Sequence, residues 1–210
     1  LTYSNGIFHL REYEFTTPEL YNSIHLIRHK KYAIQEGAIN IENIQNILNN
    51  IQVVEEPKLP FPQADSFERV INLCELLKQK GFISKNDITQ NYDFDYRQTN
   101  YYSSAARYLG LIKDVYENRQ TGCSLTQEGF RIFNLPIVER QLEFVKLILT
   151  HTVFQNTLNL YFEKGDAPTK DEVVEIMKEA QLYNIDSEQT YRRRASTIIS
   201  WINWILGLIE

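Results

Sequence analysis

The sequence predicts a mainly α-helical protein with small β-hairpins, an α+β chain, on three observations. Apolar residues recur at helical spacing through most of the chain beyond residue 40. Short alternating stretches, "GIFHLREYEF" and "LIKDVYENRQTGCSLT", interrupt them as strand-like segments. The phrase that closes one arginine-led helix, "YLGLI" at residues 108–112, nearly recurs as "ILGLI" at residues 205–209.

A chain of 210 residues with 43% hydrophobic and 23% charged residues has the composition of a soluble globular protein, large enough to bury a core without disulfides or metals. Its apolar runs fall short of the roughly 18 residues that a membrane span needs, and the start lacks a signal-peptide pattern. A cytoplasmic protein with no membrane partner is expected. Cys74 and Cys123 are far apart in sequence and read as two buried or incidental thiols. The net charge of −5 argues against a nucleic-acid partner, but distribution outranks the sum. Basic residues gather at Arg28–Lys31 and Arg192–Arg194, and acids at "VEEP" and "KDEVVE".

Residues 1–55 form a mixed α/β segment. Ile7, Phe8, Leu10, Tyr13 and Phe15 suggest one or two strands, and Thr17 with Pro18 opens a first helix. Ile41, Ile44, Ile47, Leu48 and Ile51 stripe a second. Prolines at 57, 60 and 62 mark residues 56–65 as an extended linker. A first module, 66–136, then runs in order: a helix ended by Gly81, a short second helix capped at Ser84 with Asp87, a third helix stopped at Gly110, a hairpin around Asn118–Gly122 and a further helix from Thr126. Three helices followed by a two-stranded wing is the order of a winged helix-turn-helix, whose third helix enters the major groove of DNA.

Residues 137–210 repeat that order with different padding, beginning with one or two helices. Aligned at the shared "LGLI", Arg97 falls on Arg194 and Gly110 on Gly207. Lys85 with Lys170 requires a shorter offset, so the later copy has an insertion between its second and third helices. The reading is of two tandem winged helix-turn-helix modules, related by duplication, the later one ending before a wing of its own.

Tyr101, Ala105, Tyr108 and Leu109 in one third helix, and Ile198, Trp201, Ile202, Ile205 and Leu206 in the other, form core stripes. The opposite faces carry Arg97, Gln98, Asn100, Ser103, Ser104 and Arg107 in the first, and Arg193, Arg194, Ser196, Thr197, Ser200 and Asn203 in the second. Arginine forks onto guanine, asparagine and glutamine onto adenine, and small hydroxyls onto phosphate, so these faces have the donors and acceptors that double-stranded DNA requires. Lys85 and Lys170, at the starts of second helices, are expected phosphate contacts, and Arg192–Arg194 is read as a basic run without neighbouring acids. The competing reading is that these are ordinary solvated faces, with Arg97 and Arg194 in structural ion pairs.

"DYRQTNYYSSAARYLGLI", "LTQEGF", "ERQLEFVKLIL" and "TYRRRASTIISWINWILGLI" together resemble the tandem winged-helix region of type II restriction endonucleases, over residues 66–210. The resemblance implies a region that recognises a DNA site while a separate nuclease domain or subunit, with Mg²⁺, cuts it. No catalytic residues and no metal ligands are assigned in this chain. Glu12 and Glu14 are the nearest approach to a nuclease's paired acids, without the lysine that should follow on the next strand. His9, His25, His29 and His151 lack metal-site spacing. Two rivals remain: a winged-helix protein-interaction or regulator module, and a complete metal-dependent endonuclease built around Glu12 and Glu14.

Overall fold

The computed structural model describes residues 2–4, 7–10, 13–16, 38–84, 87, 96–117, 119–180 and 182–209, with the backbone alone for 2–4, 7–10, 13–16 and 96–99. The chain divides into two compact units, Leu1–Ala38 and Ile39–Glu210. In the first, β1 (Thr2–Ser4), β2 (Ile7–Leu10) and β3 (Tyr13–Thr16) form an antiparallel sheet in the order β1-β2-β3. That is a three-stranded meander where the alternation suggested one or two strands. The helix expected from Thr17 and the basic cluster Arg28–Lys31 lie outside the described residues.

The second unit is mostly helical. Helix α1 (Ile41–Asn50) starts at a reciprocal capping box between Asn40 and Asn43 and buries Ile44 and Leu48. Helix α2 (Phe67–Lys80) is capped by Ser66 and ends at Gly81. The two-residue strand β4 (Ile83–Ser84) follows, and the Ser84 hydroxyl accepts the Asp87 N–H at 3.1 Å, so the expected cap spacing is realised. The second helix that it would open lies outside the described residues.

Helix α3 (Tyr96–Tyr108) leads into the hairpin β5 (Ile112–Glu117) and β6 (Gln120–Leu125), whose register pairs Glu117 with Gln120. β4 adds to the far side of β6, giving the order β4-β6-β5. Gly122 permits this, because a Cβ there would lie 2.2 Å from the Ile83 carbonyl oxygen.

Five more helices complete the described order in two parts. α4 (Gln127–Phe133) follows the hairpin, and α5 (Ile137–Leu149) and α6 (Thr152–Lys164) break at Thr150–His151. α7 (Lys170–Glu179) then packs against α8 (Glu188–Leu206).

Three sequence expectations change. The proline-rich linker is a packed strap: Phe61 and Ala64 are buried, and the Trp201 indole N–H donates to the Ala64 carbonyl at 2.9 Å. Proline stops a helix but leaves its neighbours free to fill a groove. The core is also continuous across residue 136, with Phe133 and Phe144 rings 5.3 Å apart and Phe67 against Trp201 at 4.9 Å. Finally, α1 packs on α5, so residues 39–55 belong with the helical unit.

The matched "LGLI" phrases end their helices differently. Gly110 has φ +69° and turns the chain sharply into β5, whereas Gly207 has φ −69° and stays right-handed. Identical letters therefore specify different backbones, because only the first must feed a strand.

Helix α7 carries a pH-sensitive cap. Glu172 Oε2 accepts the Thr169 N–H at 2.7 Å, and Lys164 Nζ donates to both carboxylate oxygens at 2.7 and 2.8 Å. Lys164 first, then Thr169, hold this carboxyl down at about 2. A depressed carboxyl stabilises the fold above its ordinary value of 4.5, and that contribution is lost as pH falls through about 2. Glu172→Gln is therefore expected to lower the Tm at neutral pH, with the gap to wild type closing between pH 4.5 and 2 in thermal melts.

Candidate nucleic-acid interface

The strap brings the two arginine-led helices together. Tyr102 of α3 donates its hydroxyl to Asp65 Oδ1 at 3.1 Å, and the Ser200 hydroxyl of α8 donates to the Asp65 carbonyl. Asp65 thus joins α3 to α8, and Tyr101 of α3 lies within electrostatic reach of Arg194.

Along α3, Asn100 and Ser104 are half-buried. Ser103 is buried, its hydroxyl turned back to the Asn100 carbonyl at 3.3 Å, so it cannot reach a base edge from this position. Arg107 Nη2 pairs with Asp114 Oδ1 at 2.9 Å, which ties the helix end to β5. Arg97 and Gln98 lie on the α3 backbone with side chains outside the described residues, and Lys85 lies outside them altogether.

Along α8, Arg193, Ser196 and Asn203 are exposed. Thr197 is buried and Ser200 is held by the strap, so neither presents a free hydroxyl. The polar residues of an amphipathic helix are expected in solvent, but α8 packs on α2, α6 and α7 and is covered on more than one side. Arg192 also departs from expectation: Asp171 Oδ1 lies 2.7 Å away and Glu188 Oε1 3.6 Å, so the basic run does have neighbouring acids. Asp171 arrives through the α7–α8 packing, which sequence proximity does not reveal. Lys170, at the first position of α7, is exposed.

The hairpin adds residues that the sequence reading passed over. Lys113 and Arg119 are exposed, Arg119 in the tight turn at φ +61°, and Tyr116 is 72% exposed. Their signal was the expected hairpin itself: β5 is exposed at Lys113, Asp114, Tyr116 and Glu117, and Arg119 stands in its turn. A cleft at the end of α8, lined by Glu68, Ser200, Asn203, Trp204, Gly207 and Leu208, contains a carboxylate and no cation. Positive charge on the described part of α8 is therefore confined to its first half.

Cys74 and Cys123 are both buried, and burial pushes the Cys74 thiol far above its ordinary range. His151 is buried beside Glu56 rather than placed for metal binding, and no cluster of three or more potential metal ligands occurs among the described residues. Glu14 lies on β3 opposite His9 in the strand register; Glu12 is outside the described residues. None of the described helices is long and apolar enough to cross a membrane.

Residues 69–210 match a family described as a domain of unknown function, DUF7226, over more than half of the chain. The chain belongs to the DUF7226 family. Its DUF7226 region spans α3, the β5–β6 hairpin and α8, so all three candidate surfaces fall within it. Residues 1–33 are similar to a second domain of unknown function, DUF6997. No curated protein and no solved structure matches the chain.

Proposed function

We propose that the DUF7226 region binds duplex DNA sequence-specifically, with residues 67–133 as a winged helix-turn-helix, and that the chain is the target-recognition part of a restriction endonuclease whose cleavage is done elsewhere. The observation that supports this best is the sheet order β4-β6-β5, with α2 before β4 and α3 immediately before the hairpin. A winged helix uses the same arrangement to lay its recognition helix in the major groove and its wing along the backbone. Asn100 and Ser104 on α3 offer base-edge partners, Lys113 and Arg119 on the hairpin offer phosphate contacts, and Arg193 extends the surface onto α8. Local cations have to act against a net charge of −5, so binding should depend steeply on salt.

The test is retention of random-sequence duplexes by the purified chain at two salt concentrations, followed by sequencing. An enriched motif that weakens with salt is expected. Arg119→Ala should weaken all sequences alike and reduce the salt slope by about 1, as loss of one phosphate contact does. If no duplex is retained even at low salt, the reading fails and a protein partner for the exposed Tyr116, Phe130 and Ile137 takes its place.

A further inference from the structure

A helix ends in carbonyl groups that lack N–H partners, and a cation in the last turn offsets the partial negative charge gathered there. Six of the eight described helices carry a lysine or arginine in that turn, from Lys78 and Lys80 of α2 to Lys178 of α7. α8, the longest of them, carries none. Its end is closed by the Gly207 N–H donating to the Asn203 carbonyl at 2.8 Å and the Leu208 N–H donating to the Ile205 carbonyl at 3.2 Å. Neither bond reaches the Trp204 carbonyl between them.

The cleft of about 420 Å³ opens at this end and places Glu68 of α2 in one wall with Asn203, Trp204 and Leu208. The half-buried Trp204 ring is fixed by Phe67 at 4.5 Å and Phe144 at 6.4 Å. Glu68 is exposed, and the Ser66 hydroxyl donates to its Oε2 at 2.9 Å. No basic side chain pairs with this carboxylate among the described residues, and Arg69 beside it in sequence lies over the Tyr102 ring at 5.8 Å. A reachable carboxylate, the carbonyl end of a helix and an indole wall all attract a cation. A guanidinium suits them best, because it stacks on an indole and forks onto a carboxylate, whereas an ammonium acts as a point charge.

We infer that this cleft receives the guanidinium group of an arginine carried by a partner polypeptide. The polypeptide source follows from the charge of the cleft: free arginine brings an α-carboxylate toward Glu68, and no cation lines the cleft to receive it. An arginine whose carboxyl is held in an amide brings only the charge that fits. About 15 Å of helix axis separates Asn203 from Arg193, so the cleft lies outside the DNA surface proposed above and the inference does not rest on that reading.

The test titrates the ¹⁵N-labelled chain with N-acetyl-arginine amide, free arginine and N-acetyl-citrulline amide, the neutral isostere. Trp201 and Trp204 give the indole N–H signals, and Trp201 serves as an internal reference, being fully buried and bonded to the Ala64 carbonyl. The blocked arginine is expected to shift the Trp204 indole and Gly207 amide signals saturably, with a Kd on the order of 1–10 mM, and to leave Trp201 in place. Free arginine should bind about threefold more weakly, and the citrulline compound should not bind. Glu68→Gln, a surface change that leaves the packing intact, should weaken the blocked arginine about fivefold, as loss of one exposed ion pair does. Trp204→Leu should weaken it about two- to fivefold, read at the Gly207 amide.

Absence of a Trp204 shift with the blocked arginine overturns the inference, as do equal shifts with the citrulline compound. A Glu68→Gln variant that binds like the wild type overturns it too. Free arginine binding at least as tightly as the blocked form overturns the polypeptide source.

Discussion

Replacing Trp201 with alanine is expected to destabilise the protein by about 3–5 kcal/mol, the usual cost of truncating a large buried aromatic. The side chain is fully buried where the strap meets α2, α6 and α8. Its ring stacks on Phe154 at 5.1 Å and meets Phe67 edge-on at 4.9 Å. No single neighbour can move in to fill the space, since each is held by a different element. The truncation also strands the Ala64 carbonyl, which loses the indole N–H and sits behind buried Phe61 and Ala64. Trp204 provides the comparison on the same helix: it lies 4.5 Å from Phe67 but is only half-buried, so Trp204→Ala should cost clearly less. Urea unfolding of both variants, read at constant m-value, checks the difference. Against a typical total of about 5–15 kcal/mol, Trp201→Ala approaches the limit of stability. A loss below about 1 kcal/mol, far short of that range, would mean that the strap and α8 do not share a core.

That core explains what the sequence disclosed and what it withheld. The stripe Ile44–Leu48 of α1, the Gly81 end of α2 and the hairpin after α3 were legible, because each is set by residues within a few positions of one another. The strap was not. Its prolines announce the loss of helix, but Phe61 and Ala64 are buried only because α6 and α8, more than eighty positions away, form a groove for them. Strand β4, at two residues, is too short for any alternation and exists through its partner β6. The candidate surface failed in the same way at particular residues. Ser103 and Thr197 belong to faces that are polar by composition but covered by neighbouring elements, and Arg192 meets an acid only through the packing of α7 on α8. Helical periodicity identifies one face that must be buried. How many other faces acquire neighbours is a property of the tertiary arrangement.

The second large effect is expected at the polar cluster under the strap, where Glu56, Tyr108 and His151 converge. The Tyr108 hydroxyl donates to Glu56 Oε2 at 2.5 Å, His151 Nδ1 lies 3.3 Å from the same oxygen, and the Tyr108 and His151 rings stack at 4.2 Å. Burial, reinforced by the Glu56 carboxylate, keeps the Tyr108 phenol protonated far above the ordinary tyrosine range, so it remains a donor at any ordinary pH. Tyr108→Phe removes the donor and leaves a buried carboxylate facing an aromatic edge. A hydrogen bond to a charged group is worth about 1.5–3 kcal/mol, and this variant should lose that amount. Glu56→Leu alone should cost a similar amount, because it strands the phenol hydroxyl in a buried site. The double variant replaces charge and donor together by apolar groups and should recover much of the loss, since a buried polar pair is far more expensive to halve than to remove. A double-mutant cycle in urea therefore should give a favourable coupling well above the 0.5 kcal/mol typical of independent sites. Additive losses would instead mean that Glu56 acts mainly on His151, and that the end of α3 is fixed to the strap by the Phe61–Tyr108 ring contact at 5.4 Å rather than by the hydrogen bond. Either result bears on the proposed DNA recognition, because Tyr108 closes the helix that leads into the β5–β6 hairpin. If the cluster sets that helix end, loosening it should blur the alignment of α3 with the hairpin and weaken duplex binding without touching any residue of the proposed interface.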